Sequence, residues 1–177
     1  MTVEEFIPWA MSRSEREHYD LVSGEVVALG SERAGRARLK LRIMRRLAEA
    51  IEKSGVACEA FPNWMAVKVD SDTLYHPDAL VRCGGRLPDE ALFVTDPVVL
   101  VDVRLPLSGY VDTGIKLGDS FRIPALRHYL IVDLKRRTII HHERDAAGAI
   151  TTRIVRDGAV RLDPPGIDLA DIFEEEP

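Results

Sequence analysis

The most constraining feature of the chain is an acid inside an otherwise apolar strand. The segment PVVLVDVRL, residues 97–105, is apolar at nearly every position, as expected of a strand that is covered on both faces. Asp102 interrupts this run, and an unpaired charge there would be costly to bury. We therefore expect Asp102 to contact a metal ion, a cation or a capping group.

Composition limits the class of protein. The chain has 177 residues, of which 46% are apolar and 30% charged, so we expect one soluble globular domain over residues 1–177. No apolar run approaches the roughly 20 residues of a membrane span, and the acidic start MTVEEF differs from a signal peptide. These features predict a cytoplasmic protein. Cys58 and Cys83 are accordingly expected to be reduced, half-buried thiols.

Charge argues against one mode of nucleic-acid binding. The net charge of −5 does not suit a protein that coats nucleic acid non-specifically, because such binding depends on many cations at phosphates. A nucleic-acid enzyme with a local basic patch is still compatible with this charge.

Periodicity predicts a mixture of helices and strands. Residues 19–29 read as a hairpin around Ser23 and Gly24, and residues 32–53 as the longest helix. Trp9 and Trp64 are interpreted as packing residues in preference to base-stacking platforms. Further strands are predicted over residues 56–61, 64–69, 74–83, 97–105, 128–133 and 137–142, a second helix over 110–122, and a last hairpin around Asp157 and Gly158.

The long helix carries many cations. Seven basic residues lie on the side opposite its apolar stripe, with no acid among them: Arg33, Arg36, Arg38, Lys40, Arg42, Arg45 and Arg46. Such charges repel one another and need something to offset them. Nucleic-acid phosphate is one candidate, and a solvated face with acidic neighbours from other elements is the other.

Three residues combine into a candidate catalytic site. Asp78 and Asp102 are placed on strands, and Lys116 on the following helix can point back at them. Two carboxylates can hold Mg²⁺, which activates water and offsets charge on a phosphoryl group. Lys116 would then orient or deprotonate the water, or hold a phosphate oxygen. Alternatively, Asp78 is a turn residue or cap, and Lys116 forms a surface ion pair with Asp112.

The order of these segments resembles a known family. YDLVSGEVVAL, the Arg-rich helix, YHPDALVRCG, PVVLVDV, Asp112 to Lys116, and RHYLIVD followed by RRTIIHH are together similar to the Uma-two-type restriction endonucleases, within the PD-(D/E)XK nuclease superfamily. The resemblance covers nearly the whole chain. It implies an α/β fold with a restriction-endonuclease-like core, in which helices flank a mixed central β-sheet and β-hairpins are added.

The resemblance also implies an activity and its residues. The activity would be Mg²⁺-dependent (or Mn²⁺-dependent) DNA cleavage, with Asp78, Asp102 and the backbone carbonyl of Val103 as metal ligands and Lys116 as the active-site cation. Glu25 would be the upstream acid. Arg36, Lys40 and Arg104 are candidate contacts to DNA, and a homodimer would suit double-strand cleavage.

Departures from the family pattern leave two functions open. The strand acid is usually Glu and here is Asp102, while Arg104 stands where an apolar residue is usual and Arg36 where a His is frequent. Arg104 could serve as the site cation, or it could pair with Asp102 and take the place of the metal. The chain is therefore either a metal-dependent endonuclease or a catalytically inactive nuclease-fold protein that binds or assembles.

Overall fold

The computed structural model describes residues 1–14, 17–104, 110–156 and 159–174, with backbone alone for residues 110–113. Within these ranges the chain forms three helices and thirteen strands. In chain order they are α1 Val3–Met11, β1 His18–Val22, β2 Glu25–Leu29, α2 Ala34–Ser54, β3 Cys58–Pro62, β4 Ala66–Lys68, β5 Leu74–Tyr75, β6 Ala79–Cys83, β7 Phe93–Val94, β8 Pro97–Arg104, α3 Tyr110–Ser120, β9 His128–Asp133, β10 Thr138–Arg144, β11 Ile150–Arg156, β12 Val160–Leu162 and β13 Ile167–Leu169.

A mixed six-stranded sheet forms the centre of the fold. Its strand order is β11-β10-β9-β8-β6-β3. β8 and β9 are parallel, as expected when a helix, here α3, connects two neighbouring strands, whereas the other pairs are antiparallel. The acid-bearing strand β8 therefore lies inside the sheet, between β6 and β9.

Alternation along β8 directs its side chains into two separate cores. Val99, Val101 and Val103 belong to the apolar cluster that includes the buried stripe of α2, formed by Leu39, Ile43 and Leu47. Leu100 belongs to the cluster on the opposite face. Because strand side chains alternate, Asp102 shares the face of Leu100 and points away from α2. The α2 stripe confirms the predicted helix, which ends at Gly55 in the left-handed conformation.

A second sheet lies beside the first and has the order β2-β1-β5-β4-β7. Its β1–β2 hairpin confirms the predicted turn, since Ser23 and Gly24 both have positive φ, 49° and 79°. α1 packs on this sheet through Val3 and Phe6. The predicted strand over residues 74–83 is divided into β5 and β6 around Pro77, which has no N–H for a ladder. The chain thereby passes from the second sheet into the first.

Two predictions about the chain's pairing are wrong. Cys58 and Cys83 are directly opposite each other on β3 and β6 and form a disulfide instead of two thiols. The expected hairpin of residues 149–155 with residues 159–163 does not form, because β11 pairs with β10 at the edge of the central sheet and β12 pairs with β13 in a separate two-stranded sheet. Asp157 and Gly158, the proposed turn, lie outside the described residues. Both errors concern register and partner choice, which a single strand's pattern does not contain.

No helix within the described ranges combines the length and apolar character needed to cross a membrane.

Candidate active site

A large cleft opens where the two sheets meet. Its volume is about 1280 Å³, and Asp78, Asp102, Val103, Arg104 and Lys116 all line it. The cleft exceeds the roughly 300–1,000 Å³ typical of small-molecule pockets. The structure thus brings the three residues of the predicted constellation to one place that could admit a polymer.

Asp78 is held by cations of α2. One terminal nitrogen of Arg36 (Nη2) donates to Oδ1 and Oδ2 of Asp78 at 3.1 and 2.9 Å, and Lys40 Nζ lies 2.7 Å from Oδ1. The backbone N–H of Val103 donates to Oδ2 at 2.6 Å. We call Asp78 with Arg36 and Lys40 the clamp. Asp78 is only 4% exposed, so these bonds offset the cost of burying its charge.

Asp102 has different partners. Lys116 Nζ donates to its Oδ1 at 3.2 Å, and the hydroxyl of Tyr129 donates to its Oδ2. Tyr129 is on the neighbouring parallel strand β9, on the same side of the sheet. Lys116 also donates to the backbone oxygen of His76 at 3.4 Å. The expectation that Asp102 contacts a cation or a capping group is therefore confirmed. The side chain of Asp112, the alternative partner of Lys116, lies outside the described residues.

Burial and mutual attraction both shift the pKa values of Asp102 and Lys116. Burial raises the pKa of Asp102 above its ordinary 3.8, although the Lys116 ammonium opposes this shift. For Lys116, burial would lower the pKa, but the nearby acids Asp102, Asp20 and Asp78 outweigh it and raise the pKa above 10.5. Lys116 is therefore a firmly protonated cation, suited to hold negative charge and unsuited to take a proton from water.

A third acid in the cleft, Asp20, was missed in the sequence. Its Oδ1 accepts the backbone N–H of His76 at 2.9 Å and lies 3.0 Å from the ring Nδ1 of the same residue. Asp20 is 5% exposed and lies on β1 between apolar neighbours. The signal was the one that identified Asp102, an acid inside an apolar strand. Asp20, His76, Lys116 and Asp102 form a continuous chain of contacts.

The other predicted site residues take varied positions. Glu25, the expected upstream acid, is exposed at the start of β2 and is not among the described residues that line the cleft. Arg104 is half-buried and lines the cleft on the Asp102 side of β8. Arg36 and Lys40 turn inward to Asp78 and, together with Glu32, form a local ion network.

The rest of the α2 cations do not form one free basic face. Arg42 donates to the backbone oxygen of Ile172, and Arg46 pairs with Glu49. With Arg36 and Lys40 engaged at Asp78, much of the charge on this helix is offset by the protein itself. The contacts of Arg36 and Lys40 with Asp78 agree with the alternative in which acids from other elements offset the charge of the helix.

The donor set suits Mg²⁺ in chemistry but is not arranged as a finished cage. Asp20, Asp78 and Asp102 supply carboxylate oxygens, the ligands that Mg²⁺ prefers. Among the described side chains, however, no group of three or more His, Cys, Asp or Glu is positioned to hold a metal ion. The Asp78 oxygens in particular already have partners, because Arg36, Lys40 and the Val103 N–H together make four contacts to them. Asp20, Asp78 and Asp102 are the cleft residues that could hold a divalent metal, and for Asp78 the α2 cations would have to withdraw.

The family follows from the match to its model, which is described as "Putative restriction endonuclease" and covers residues 3–170. The chain belongs to this family, Uma2. The predicted resemblance is thereby confirmed.

The chain is also similar to two individual proteins. A crystal structure of a protein described as a "putative nuclease belonging to DUF820", from Anabaena variabilis ATCC 29413, superposes with a TM-score of 0.76 at 13% identity, covering 98% of this chain and 97% of the other. This likeness confirms the predicted mixed α/β nuclease fold. The uncharacterized protein slr1290 of Synechocystis sp. (strain ATCC 27184 / PCC 6803 / Kazusa) is 24% identical over 147 residues, which is 82% of this chain and 75% of that protein.

Proposed function

We propose that this Uma2 protein is a nuclease that hydrolyses phosphodiester bonds of DNA with the help of Mg²⁺ or Mn²⁺. The observation that carries the proposal is the meeting of Asp78, Asp102 and Lys116 in one cleft, with Lys116 bonded to Asp102. Membership of the family supports the same reaction class. Two copies of the chain would be needed if both strands of a duplex are cut at once.

Each residue has a role that its surroundings favour. Lys116, fixed by Asp102 and the His76 carbonyl, presents a positive charge to the phosphoryl oxygens, where charge develops during hydrolysis. Asp102, oriented by Tyr129, has fewer described donors than Asp78 and would be the main metal ligand. When bound, the divalent ion supplies Lewis acidity and lowers the pKa of a water molecule.

The clamp residues have a second role in this proposal. Arg36 and Lys40 lie at the cleft with side chains 25% and 12% exposed, so both are accessible to an entering phosphate. A phosphodiester can take the place of Asp78 as their anionic partner, which frees the Asp78 oxygens for the metal. Arg36 and Lys40 would then hold the substrate, and Arg104, which lines the same cleft from β8, would assist them.

The clamp also favours a second candidate function. If Arg36 and Lys40 remain bound to Asp78, their positive charges neutralise this acid in place of a metal ion. The chain would then be an inactive member of the fold that binds DNA or assembles with other proteins. The two functions differ in one measurable property, which is divalent-metal-dependent cleavage.

Plasmid nicking in Mg²⁺ or Mn²⁺ tests the proposal. We expect cleavage by the wild type that EDTA stops, and a loss of about 10³-fold in Asp102→Asn, since that change removes a metal ligand and the partner of Lys116. Asp96→Asn is the matched control, because Asp96 precedes the same strand but pairs with Arg82 outside the cleft. If the wild type cuts neither the plasmid nor a single-stranded circular DNA in any divalent metal, the inactive alternative stands.

A further inference from the structure

Trp64 stands at the cleft with most of its side chain in solvent. It is 64% exposed, lines the same cleft as Asp102 and Lys116, and lies in the turn between β3 and β4. The prediction that Trp64 is a packing residue is therefore wrong. Trp9, by contrast, is half-buried and packs against Phe6 and Tyr19, with ring centroids 6.0 and 5.0 Å apart.

Neighbouring groups fix this exposed ring in place. The His18 ring lies 4.2 Å from the Trp64 ring, centroid to centroid, with the two planes at 88°. The turn itself is closed by a hydrogen bond from Met65 N–H to the Pro62 carbonyl, at 3.0 Å. A large aromatic side chain that is both exposed and held loses little conformational freedom when a flat ligand stacks on it.

The charges of the cleft point to a source of affinity besides phosphate neutralisation. The described lining contains five cations, Arg13, Arg36, Lys40, Arg104 and Lys116, and five acids, Glu17, Asp20, Glu32, Asp78 and Asp102. A cleft that held nucleic acid by its phosphates alone would need an excess of cations. Stacking of a base on an aromatic side chain contributes roughly 1–3 kcal/mol and does not depend on that excess.

We propose that Trp64 is a stacking platform for an unpaired base of the DNA strand whose backbone enters the cleft. This inference rests on the proposed nuclease function and narrows its substrate to DNA with a single-stranded segment. Bases inside a continuous duplex are already stacked on their neighbours, and extracting one costs a few kcal/mol. A single strand offers its base faces without that cost.

Arg13 is a candidate contact to a phosphate of the same DNA strand. It is exposed, lines the cleft, and its guanidinium lies 4.4 Å from the centre of the Trp9 ring. Trp9 thus contacts a side chain that lines the same cleft as Trp64. An exposed guanidinium there can bind a phosphate of the strand whose base rests on Trp64.

Binding in EDTA separates this inference from cleavage. The probe is a short dye-labelled oligothymidylate, followed by fluorescence anisotropy, with a blunt duplex of the same length as comparison. We expect Trp64→Leu to weaken single-strand binding by about tenfold, Trp64→Phe to retain most of it, and duplex binding to be similar in all three proteins. Leu92→Ala is the matched control, because Leu92 is another exposed apolar residue, outside the described cleft lining.

A spectroscopic readout reports stacking directly. In a Trp9→Phe background Trp64 is the single tryptophan, and its emission should be quenched by the oligothymidylate. Four results would each overturn the inference. In binding, these are a wild type that binds no single strand, a Trp64→Leu variant that binds it as tightly as the wild type, and a Trp64→Leu variant that loses as much affinity for duplex as for single strands. In the spectroscopic experiment, it is emission that the oligothymidylate does not quench. Thermal melting followed by circular dichroism verifies that every variant is folded.

The inference and the proposed function can fail separately. Trp64-dependent single-strand binding without cleavage in any divalent metal would overturn the nuclease and leave the platform standing. If wild type and Trp64→Leu cleave single strands equally well, and duplex equally well, the nuclease function stands and the stacking inference is overturned.

Discussion

The two predicted metal ligands, Asp78 and Asp102, lie in the same cleft but are held very differently. Both oxygens of Asp78 are bonded by groups from α2 and by a backbone N–H of β8. Asp102 has Lys116 at one oxygen and Tyr129 at the other. One acid thus connects a helix to the central sheet, whereas the other retains more capacity to accept a new ligand.

The difference teaches that one sequence motif can contain two kinds of carboxylate. The buried charge of Asp78 is compensated by Arg36, Lys40 and the Val103 N–H, and its removal takes from these two cations one of the two acids they contact, Asp78 and Glu32. Burial raises the pKa of Asp102, so its ionised form is less favourable in the folded protein than in water. Stability should therefore depend more on Asp78, and activity more on Asp102.

The largest expected effect is on stability. Asp78→Asn should lower the free energy of unfolding by about 3 kcal/mol, because it leaves Arg36 and Lys40 beside a neutral side chain. Asp102→Asn should lower it by less, about 1 kcal/mol, because the loss of the partner of Lys116 is partly offset by the removal of a charge that burial disfavours. Urea unfolding at neutral pH measures both. Similar losses in the two variants would contradict the comparison.

The effect of intermediate size is the pH dependence of stability. Its sign for a pair of buried histidines is opposite to its sign for Asp102. Buried His128 and His141 share a hydrogen bond of 2.9 Å, and burial, with His128 and Arg153 nearby, lowers the pKa of His141 from 6.5 to about 4. The folded pKa is below the unfolded one, so stability is complete above pH 6.5 and is lost as pH falls toward 4.

Asp102 has the opposite sign, because its folded pKa is raised: its ionisation reduces stability as pH rises through that value. We expect the free energy of unfolding to fall by on the order of 2 kcal/mol between pH 7 and pH 4, and we expect this fall to depend on His141. His141→Gln should remove this loss, and Asp102→Asn should leave it in place. A pH profile that His141→Gln does not alter would place the titrating groups elsewhere.

The smallest expected effect is on metal affinity. Removing one clamp cation in Lys40→Met should strengthen Mn²⁺ binding by about tenfold, roughly 1.4 kcal/mol, because a positive charge no longer competes for Asp78. Isothermal titration calorimetry measures the change. Arg46→Gln is the control on the same helix, since Arg46 pairs with Glu49 at the surface. Weaker binding in Lys40→Met would show that the clamp supports the metal and does not compete with it.

Local patterns predicted much of the fold. The β1–β2 hairpin, the long helix α2 and the apolar strand β8 were all found where turn residues and periodicity placed them. Each depends on residues near one another in the chain. The disulfide was missed because it depends on the register of β3 against β6, and Cys58 and Cys83 are 25 residues apart.

The sequence by itself determined that an acid lies inside a buried strand, that it needs a partner, and that Asp78 and Lys116 are candidates beside it, because burying a charge without compensation is costly wherever it occurs. Only the tertiary structure decided which partner each acid has. α2 approaches β6 and brings Arg36 and Lys40 to Asp78, α3 brings Lys116 to Asp102, and β1 adds Asp20. These contacts join segments far apart in the chain, so packing and not local pattern selects them.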